Sequence, residues 1–187
     1  MQRTFSRLES LIIALLRMAG DAGLSKTQLI KLVFFSDLES ARMSGETVTG
    51  CEYRTDQFGV VNYEIWDVAL VMADGECISY SVKPAPSGGK SYRIALLRDE
   101  FDPTAPELLA VVRRVWEKYG RLTAAQLGGL SKNLVPMDDE WETGVVVDPR
   151  DICYEESDEF LEHCKSVLKD YPKEHSPLRP LSDLEDE

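Results

Sequence analysis

The sequence predicts a mostly helical α+β fold: a single globular domain of about six helices with a small β-hairpin or antiparallel sheet. Three observations carry this expectation. Apolar residues recur at helical spacing over several segments, many of which open on a capping pattern. The period changes to alternation over Ile78, Tyr80 and Val82 and again over Tyr92, Ile94 and Leu96. The chain has 187 residues, 43% hydrophobic and 29% charged, which is enough for one core without a metal or disulfide staple.

In chain order, Phe5, Leu8, Ile12, Leu15 and Ala19 mark a first helix, with Ser6 and Glu9 placed as a capping box and Gly20 and Gly23 as its stop. Ser25-Lys26-Thr27-Gln28 opens a second helix that runs to about Met43 and ends at Ser44-Gly45. On it, Leu29, Leu32, Val33 and Ser36 share one face, with Ile30, Phe34 and Asp37 beside it. Apolar residues around most of the circumference place this helix in the middle of the core. Thr47 to Arg54 reads as a short strand or extended segment, and Asp56 to Val61 as a turn permitted by Gly59. Tyr63 to Met72 reads as a helix with Ile65, Val68, Ala69 and Met72 inward. The hairpin follows, its strands joined by the loop Pro84 to Gly89.

Thr104 and Glu107 form a further capping box, opening a helix that runs to Tyr119, stops at Gly120 and buries Leu108, Leu109, Val112, Val115 and Trp116. Thr123 with Gln126 begins a short helix through Leu127 and Leu130. Pro136 to Val147 reads as irregular, and Asp158 to Asp170 as a sixth, amphipathic helix carrying Phe160, Leu161, Val167 and Leu168. The organisation expected is a domain over 1–147, an acidic helical extension over 148–170, and an acidic tail over 171–187 that is disordered alone.

The net charge of -12 is unevenly placed. Residues 1–137 hold 16 acids and 16 bases, whereas residues 138–187 hold 17 acids and 5 bases. An acidic chain is a poor direct ligand for nucleic acid or for anionic lipid, both of which require clustered Lys and Arg. Confined to one end, the charge reads either as a solubilising tail or as an arm that docks on a basic partner. The N-terminal apolar run Leu11 to Leu16 is six residues long and flanked by Arg7, Glu9 and Arg17, too short for a signal peptide or a membrane span. Cys51, Cys77, Cys153 and Cys164 show no CxxC pairing, and His163 and His175 are the only histidines. Buried free thiols in a reducing cytoplasm are expected.

No P-loop, dinucleotide fingerprint, nucleophile elbow or HExxH is present. His163 and Cys164 are adjacent on a helix and point about 100° apart, so they do not form a dyad. The acidic set Asp138, Asp139, Glu140 and Glu142 lacks the glycine-turned loop of a calcium hand. No catalytic, cofactor-binding or metal-ligating residue is therefore nominated.

One segment stands apart: Leu24 to Val61, with the string Lys31-Leu32-Val33-Phe34-Phe35-Ser36-Asp37, then Gly45, Thr49-Gly50, Tyr53 and Phe58-Gly59. It resembles the Panacea-domain, SocA-like antitoxin family, which is also found in phage-associated proteins. The likeness extends over roughly residues 5 to 145, through Lys118-Tyr119-Gly120 and Thr123-Ala124-Ala125-Gln126-Leu127. Two departures are visible. The family's aromatic-Gly-Pro turn reads Phe58-Gly59-Val60, and its Ser-His at the end of the short helix reads Ser131-Lys132.

The resemblance implies an antitoxin of a toxin–antitoxin system, not an enzyme, that neutralises a cognate toxin protein by direct contact and needs no cofactor. For some relatives it also permits a proteolytic adaptor that delivers a bound partner to a protease. An enzyme whose site carries no motif is a third reading. The residues nominated for partner contact are Lys31, Phe35, Asp37, Tyr53, Phe58, Gly59 and Trp141. Each has a plainer alternative. Lys31 and Asp37 can form exposed local ion pairs, or Asp37 can lie buried beside Tyr53 and pin the helix to the following turn. Phe34 and Phe35 can be core, while Tyr53 and Phe58 flank a glycine turn where exposed aromatics anchor interfaces. Nothing in the pattern selects an oligomeric state.

Overall fold

Eleven consecutive residues, Leu29 to Glu39, are buried on one helix, and the remaining elements are arranged around it. The computed structural model describes residues 5–75, 77–84, 90–97, 106–135 and 141–152, together with positions 166 and 169. The central helix is α2 (Lys26–Ser44), preceded by α1 (Arg7–Ala19) and followed by α3 (Glu64–Asp74), α4 (Pro106–Tyr119) and α5 (Ala124–Leu134). The capping boxes expected at Ser6, Ser25 and Thr123 all form, each side chain accepting from the N3 backbone N–H while the N3 Glu or Gln returns a bond. α2 ends at Gly45 in the left-handed region.

Among the described residues, six strands make two three-stranded antiparallel sheets. In the first, β5 (Lys90–Leu96) lies between β1 (Leu24–Ser25) and β4 (Ile78–Pro84). In the second, β2 (Tyr53–Asp56) lies between β3 (Gly59–Val61) and β6 (Val146–Val147). The β4–β5 hairpin matches the alternation in sequence, and the fold is α+β and mostly helical, as expected.

The second sheet is the main departure. The extended segment lies later than expected, over Tyr53–Asp56, because Thr49 is tied to the central helix and residues 47–52 follow that tether. The expected turn over Asp56 to Val61 is a hairpin with Gln57 and Phe58 at its tip. Residues 146–147, expected to be irregular, pair with β2 because Val147 reaches the core. The packed unit also continues past 147: a 3₁₀ turn, Pro149–Asp151, lies on α2 and Ile152 is buried. On α4 the inward stripe begins at Val111, leaving Leu108 and Leu109 half-buried. Cys51 and Cys77 are half-buried free thiols. Of the helix expected over 158–170, only Ser166 and Lys169 are described, both helical. The Pro84–Gly89 loop beyond Pro84, Thr104, Asp138 to Glu140, Cys153, His163, Cys164 and the tail from 171 lie outside the described residues. Among the described residues no helix is long and apolar enough to cross a membrane.

Gly23 shows how tightly the first sheet is closed. Its φ is +60°, and a Cβ there would stand 2.2 Å from the carbonyl oxygen of Ile94 on β5. Gly45 has φ +79° with nothing within 4 Å of the same position. Urea unfolding should therefore find Gly23→Ala destabilised by about 3 kcal/mol, from backbone strain plus displacement of β5. Gly45→Ala should lose only about 1 kcal/mol.

Candidate functional site

A helix buried all round must find partners for every polar side chain it carries, because an unpaired buried group costs several kcal/mol. α2 buries three charged residues, and each is answered by a different part of the chain. The Lys31 amine donates to the carbonyl of Val60 on β3 at 2.6 Å. Burial pulls this amine down to about 7, with Asp56 opposing the shift and Lys132 adding to it. The Asp37 carboxylate accepts the Thr49 backbone N–H at 2.8 Å and the Tyr53 hydroxyl at 2.7 Å, and also bonds the Thr49 hydroxyl. Burial raises the Asp37 carboxyl above its usual range against the pull of these bonds. Burial beside Asp37 likewise holds the Tyr53 hydroxyl well above the ordinary phenol range.

The third charged residue, Glu39, accepts from Arg114 at 2.7 Å and Lys118 at 2.9 Å, both on α4, and from Arg42 at 3.3 Å. Burial alone would raise this carboxyl; the hydrogen bonds from Lys118 and Arg114 outweigh it and hold the group low. Phe35 stacks on Tyr119 with ring centroids 4.2 Å apart, further joining α2 to the end of α4.

The β2–β3 tip is fixed by the same central helix and by α5. Gly59 has φ +91°, and a Cβ there would lie 2.1 Å from Ser131 Oγ and 2.7 Å from the Gly128 carbonyl oxygen. Only glycine allows both this backbone conformation and this approach. Ser131 Oγ accepts the Val60 N–H at 3.2 Å and donates to the Gly128 carbonyl at 2.9 Å. A Cβ on Gly128 would itself press within 3.0 Å of the Phe58 carbonyl oxygen. From the other side, the Trp141 indole N–H donates to the Asp56 carbonyl at 2.9 Å, and the Lys132 amine lies 5.4 Å above the Trp141 ring. On this immobilised backbone the Phe58 side chain is 64% exposed.

Beside the tip lies a cleft of about 380 Å³, bordered by Glu52, Arg54, Asp56, Asn62, Tyr63 and Glu64. The Tyr63 hydroxyl donates to the Asp56 carboxylate, which pushes it up to about 12. The Lys26 amine caps the Tyr63 ring at 5.2 Å.

The motif residues thus divide. Lys31, Phe35, Asp37 and Tyr53 have no exposed surface and Gly59 is buried, so none of these five can touch a partner; they hold up the surface from within. Neither Lys31 nor Asp37 makes an exposed local ion pair, and the tether of Asp37 to Tyr53 is the arrangement present. Trp141 is half-buried, and Phe58 alone projects fully. Sequence reasoning assigns no role to Glu39, Gly128 or Ser131 as an acceptor, and Thr49, part of the motif, is not among the residues nominated for contact. Glu39 had a readable signal, since a charge two residues beyond Asp37 on a helix of this kind demands partners, and Arg114 and Lys118 stand one turn apart on α4. Cys51 is a poor nucleophile, its thiol pushed up by burial. Among the described residues no group of three or more His, Cys, Asp or Glu could hold a metal ion. Compared with protein-family models, with curated proteins and with solved structures, the chain matches none.

The Lys31 amine gives a measurable signature. It titrates near 10.5 when unfolded and near 7 when folded, so between these values the unfolded chain holds the extra proton. Native stability should therefore rise with pH across that window and be flat below it. Relative to Lys31→Met, the native chain should gain up to ~1.4 kcal/mol per pH unit above 7. Urea unfolding of both at pH 7, 8 and 9 checks this, and parallel stability curves would refute it.

Proposed function

We propose that the protein is a non-catalytic antitoxin that neutralises a cognate toxin by direct protein–protein contact, anchored at the β2–β3 tip. The observation that carries this reading is the exposed Phe58 ring on a backbone held from α2, α5 and Trp141. Interface hot spots favour aromatic anchors, and a tip already ordered loses little entropy on binding. The Panacea-like order of motifs from Leu24 to Val61 supports a toxin as the partner class. The burial of Lys31 and Asp37 supports a scaffolding use of the motif's ionisable groups in place of a catalytic one. Residues 138–187, with 17 acids against 5 bases, supply the electrostatic part, steering the protein to a basic site on the toxin.

Co-expression with the product of the adjacent open reading frame tests the reading. That product should be lethal alone and tolerated with this protein. Phe58→Ala should weaken the purified complex about thirtyfold, the loss of one hot spot, with the unfolding midpoint unchanged. Wild-type affinity in Phe58→Ala would remove the tip from the interface. A toxin half-life shortened by this protein would make it a proteolytic adaptor instead. Deleting residues 171–187 should weaken protection and flatten the salt dependence of binding, and unchanged affinity across a salt series would exclude the tail from the mechanism.

A further inference from the structure

β4 is an outer strand of its sheet, seven residues long, and among the described residues no backbone group pairs with its open side. Such an edge is a template for another strand. Its register with β5 is unbroken from Ile78↔Leu96 to Pro84↔Lys90, and the ladder begins with the Leu97 N–H donating to the Cys77 carbonyl. Antiparallel pairing alternates, so Cys77, Ser79, Ser81 and Lys83 turn their backbone groups toward β5. Ile78, Tyr80, Val82 and Pro84 turn theirs outward. Pro84, which has no N–H to offer, falls on the open side at the strand's end, where proline is tolerated.

On one face of this edge the side chains, Ile78, Tyr80, Val82 and Pro84, are apolar where a soluble edge strand is usually charged. Tyr80 is 42% and Val82 44% exposed, on the face that carries the Trp66–Tyr80–Tyr92 aromatic group. Lys83 is the strand's single charge.

We propose that β4 is the interface for a second copy of this chain, pairing antiparallel with its symmetry mate about a two-fold axis at Ser81. The strand is self-complementary in that register. Tyr80 lies opposite Val82 of the mate and Val82 opposite its Tyr80, and these are the residues whose backbone groups face outward. They exchange both N–H···O bonds, and the Ile78 N–H meets the carbonyl of Pro84 at each end. Along one face the two central cross-strand lines are then apolar: Ile94–Tyr80–Val82–Tyr92, crossing from one protomer to the other and repeated by symmetry, with Leu96–Ile78–Pro84–Lys90 as the outer lines. Aromatic and β-branched neighbours of this kind stabilise antiparallel pairs. Lys83 meets Ser79 of the mate, so no like charges oppose. A continuous six-stranded sheet results, with the short β1 strands outermost and both β4 edges covered. A two-fold pairing uses the same patch on both copies and closes, so it yields a dimer and not a fibre. A pair of seven-residue strands is small against a standard interface, so the dimer should be reversible and concentration-dependent.

Sedimentation of the full chain over a concentration series should show monomer passing to dimer and no larger species. Val82→Pro removes one outward N–H from each protomer and leaves the β4–β5 bonds intact; it should raise the dimer dissociation constant about tenfold or more. Ser81→Cys places two thiols on the axis at a non-hydrogen-bonded position, within reach of a disulfide. Mild oxidation should link it into a dimer, while Ser79→Cys and the unsubstituted protein, treated in parallel, should stay monomeric in non-reducing gels. A chain that stays monomeric at every concentration overturns the proposal, as does equal cross-linking of Ser79→Cys and Ser81→Cys. These readouts do not depend on what the β2–β3 tip binds.

Discussion

The amine of Lys31 donating to the Val60 carbonyl is the contact on which the geometry of the tip depends. A lysine with no exposed surface is expensive to hold, and its low titration point records that expense. What the fold gains is a fixed point. Val60 is bound through its carbonyl by α2 and through its N–H by Ser131 of α5, so one residue ties the hairpin to two helices. Asp37 then holds the incoming segment at Thr49 and Tyr53, further along the same helix. With both ends of the stretch from Thr49 to Val60 anchored to one rigid rod, the conformation of the tip follows from α2.

Glu39 extends the same logic to the opposite side of the core. Its three cationic partners come from α2 itself and from α4, so the helix that organises the tip also fixes α4. Buried ion pairs of this sort are weak evidence for net stability, because desolvation offsets much of the attraction. Their effect is on specificity. A slip of α4 along α2 by one turn would take Arg114 or Lys118 away from the buried Glu39, whereas apolar packing alone would tolerate the slip at lower cost. The acidic and basic residues that cancel over 1–137 are thus partly matched pairs inside the domain, whereas the excess in 138–187 has no such match in its composition.

Helices were largely legible in the sequence, and sheets only in part, for physical reasons. Capping boxes are local: Ser25 and Gln28 satisfy one another whatever surrounds them, so the start of α2 could be read directly. The β4–β5 hairpin was legible because its strands alternate on a half-covered sheet. The sheet of β2, β3 and β6 was not, since its strands are two to four residues long and held by contacts across about ninety residues, such as the Val145 N–H with Thr55. For the site, the sequence marked the right residues and left their direction open. Lys31, Asp37 and Tyr53 carry the pattern of a surface motif, yet all three turn inward. Burial of a polar residue is decided by partners distant in sequence, and Ser131 and Thr49 are such partners.

The turn at Phe58-Gly59-Val60 shows how a tertiary contact can hold a shape that a proline would hold covalently. Proline after Gly59 would restrict the backbone covalently, by fixing φ. Val60 has no such restriction but retains an N–H, and that N–H is bonded to Ser131. The restraint at this turn is a tertiary contact, supplied by Ser131 of α5. A covalent restraint acts in the unfolded chain as well; a tertiary one acts only once α5 is docked. The tip of this protein is therefore rigid only as part of the folded domain, and its order depends on α5 in a way that a proline turn would not. Gly128 fits the same account, since its missing side chain is what lets α5 approach the Phe58 carbonyl closely enough to hold the tip. The exposed aromatic and the helix behind it form one unit, and neither keeps its place without the other.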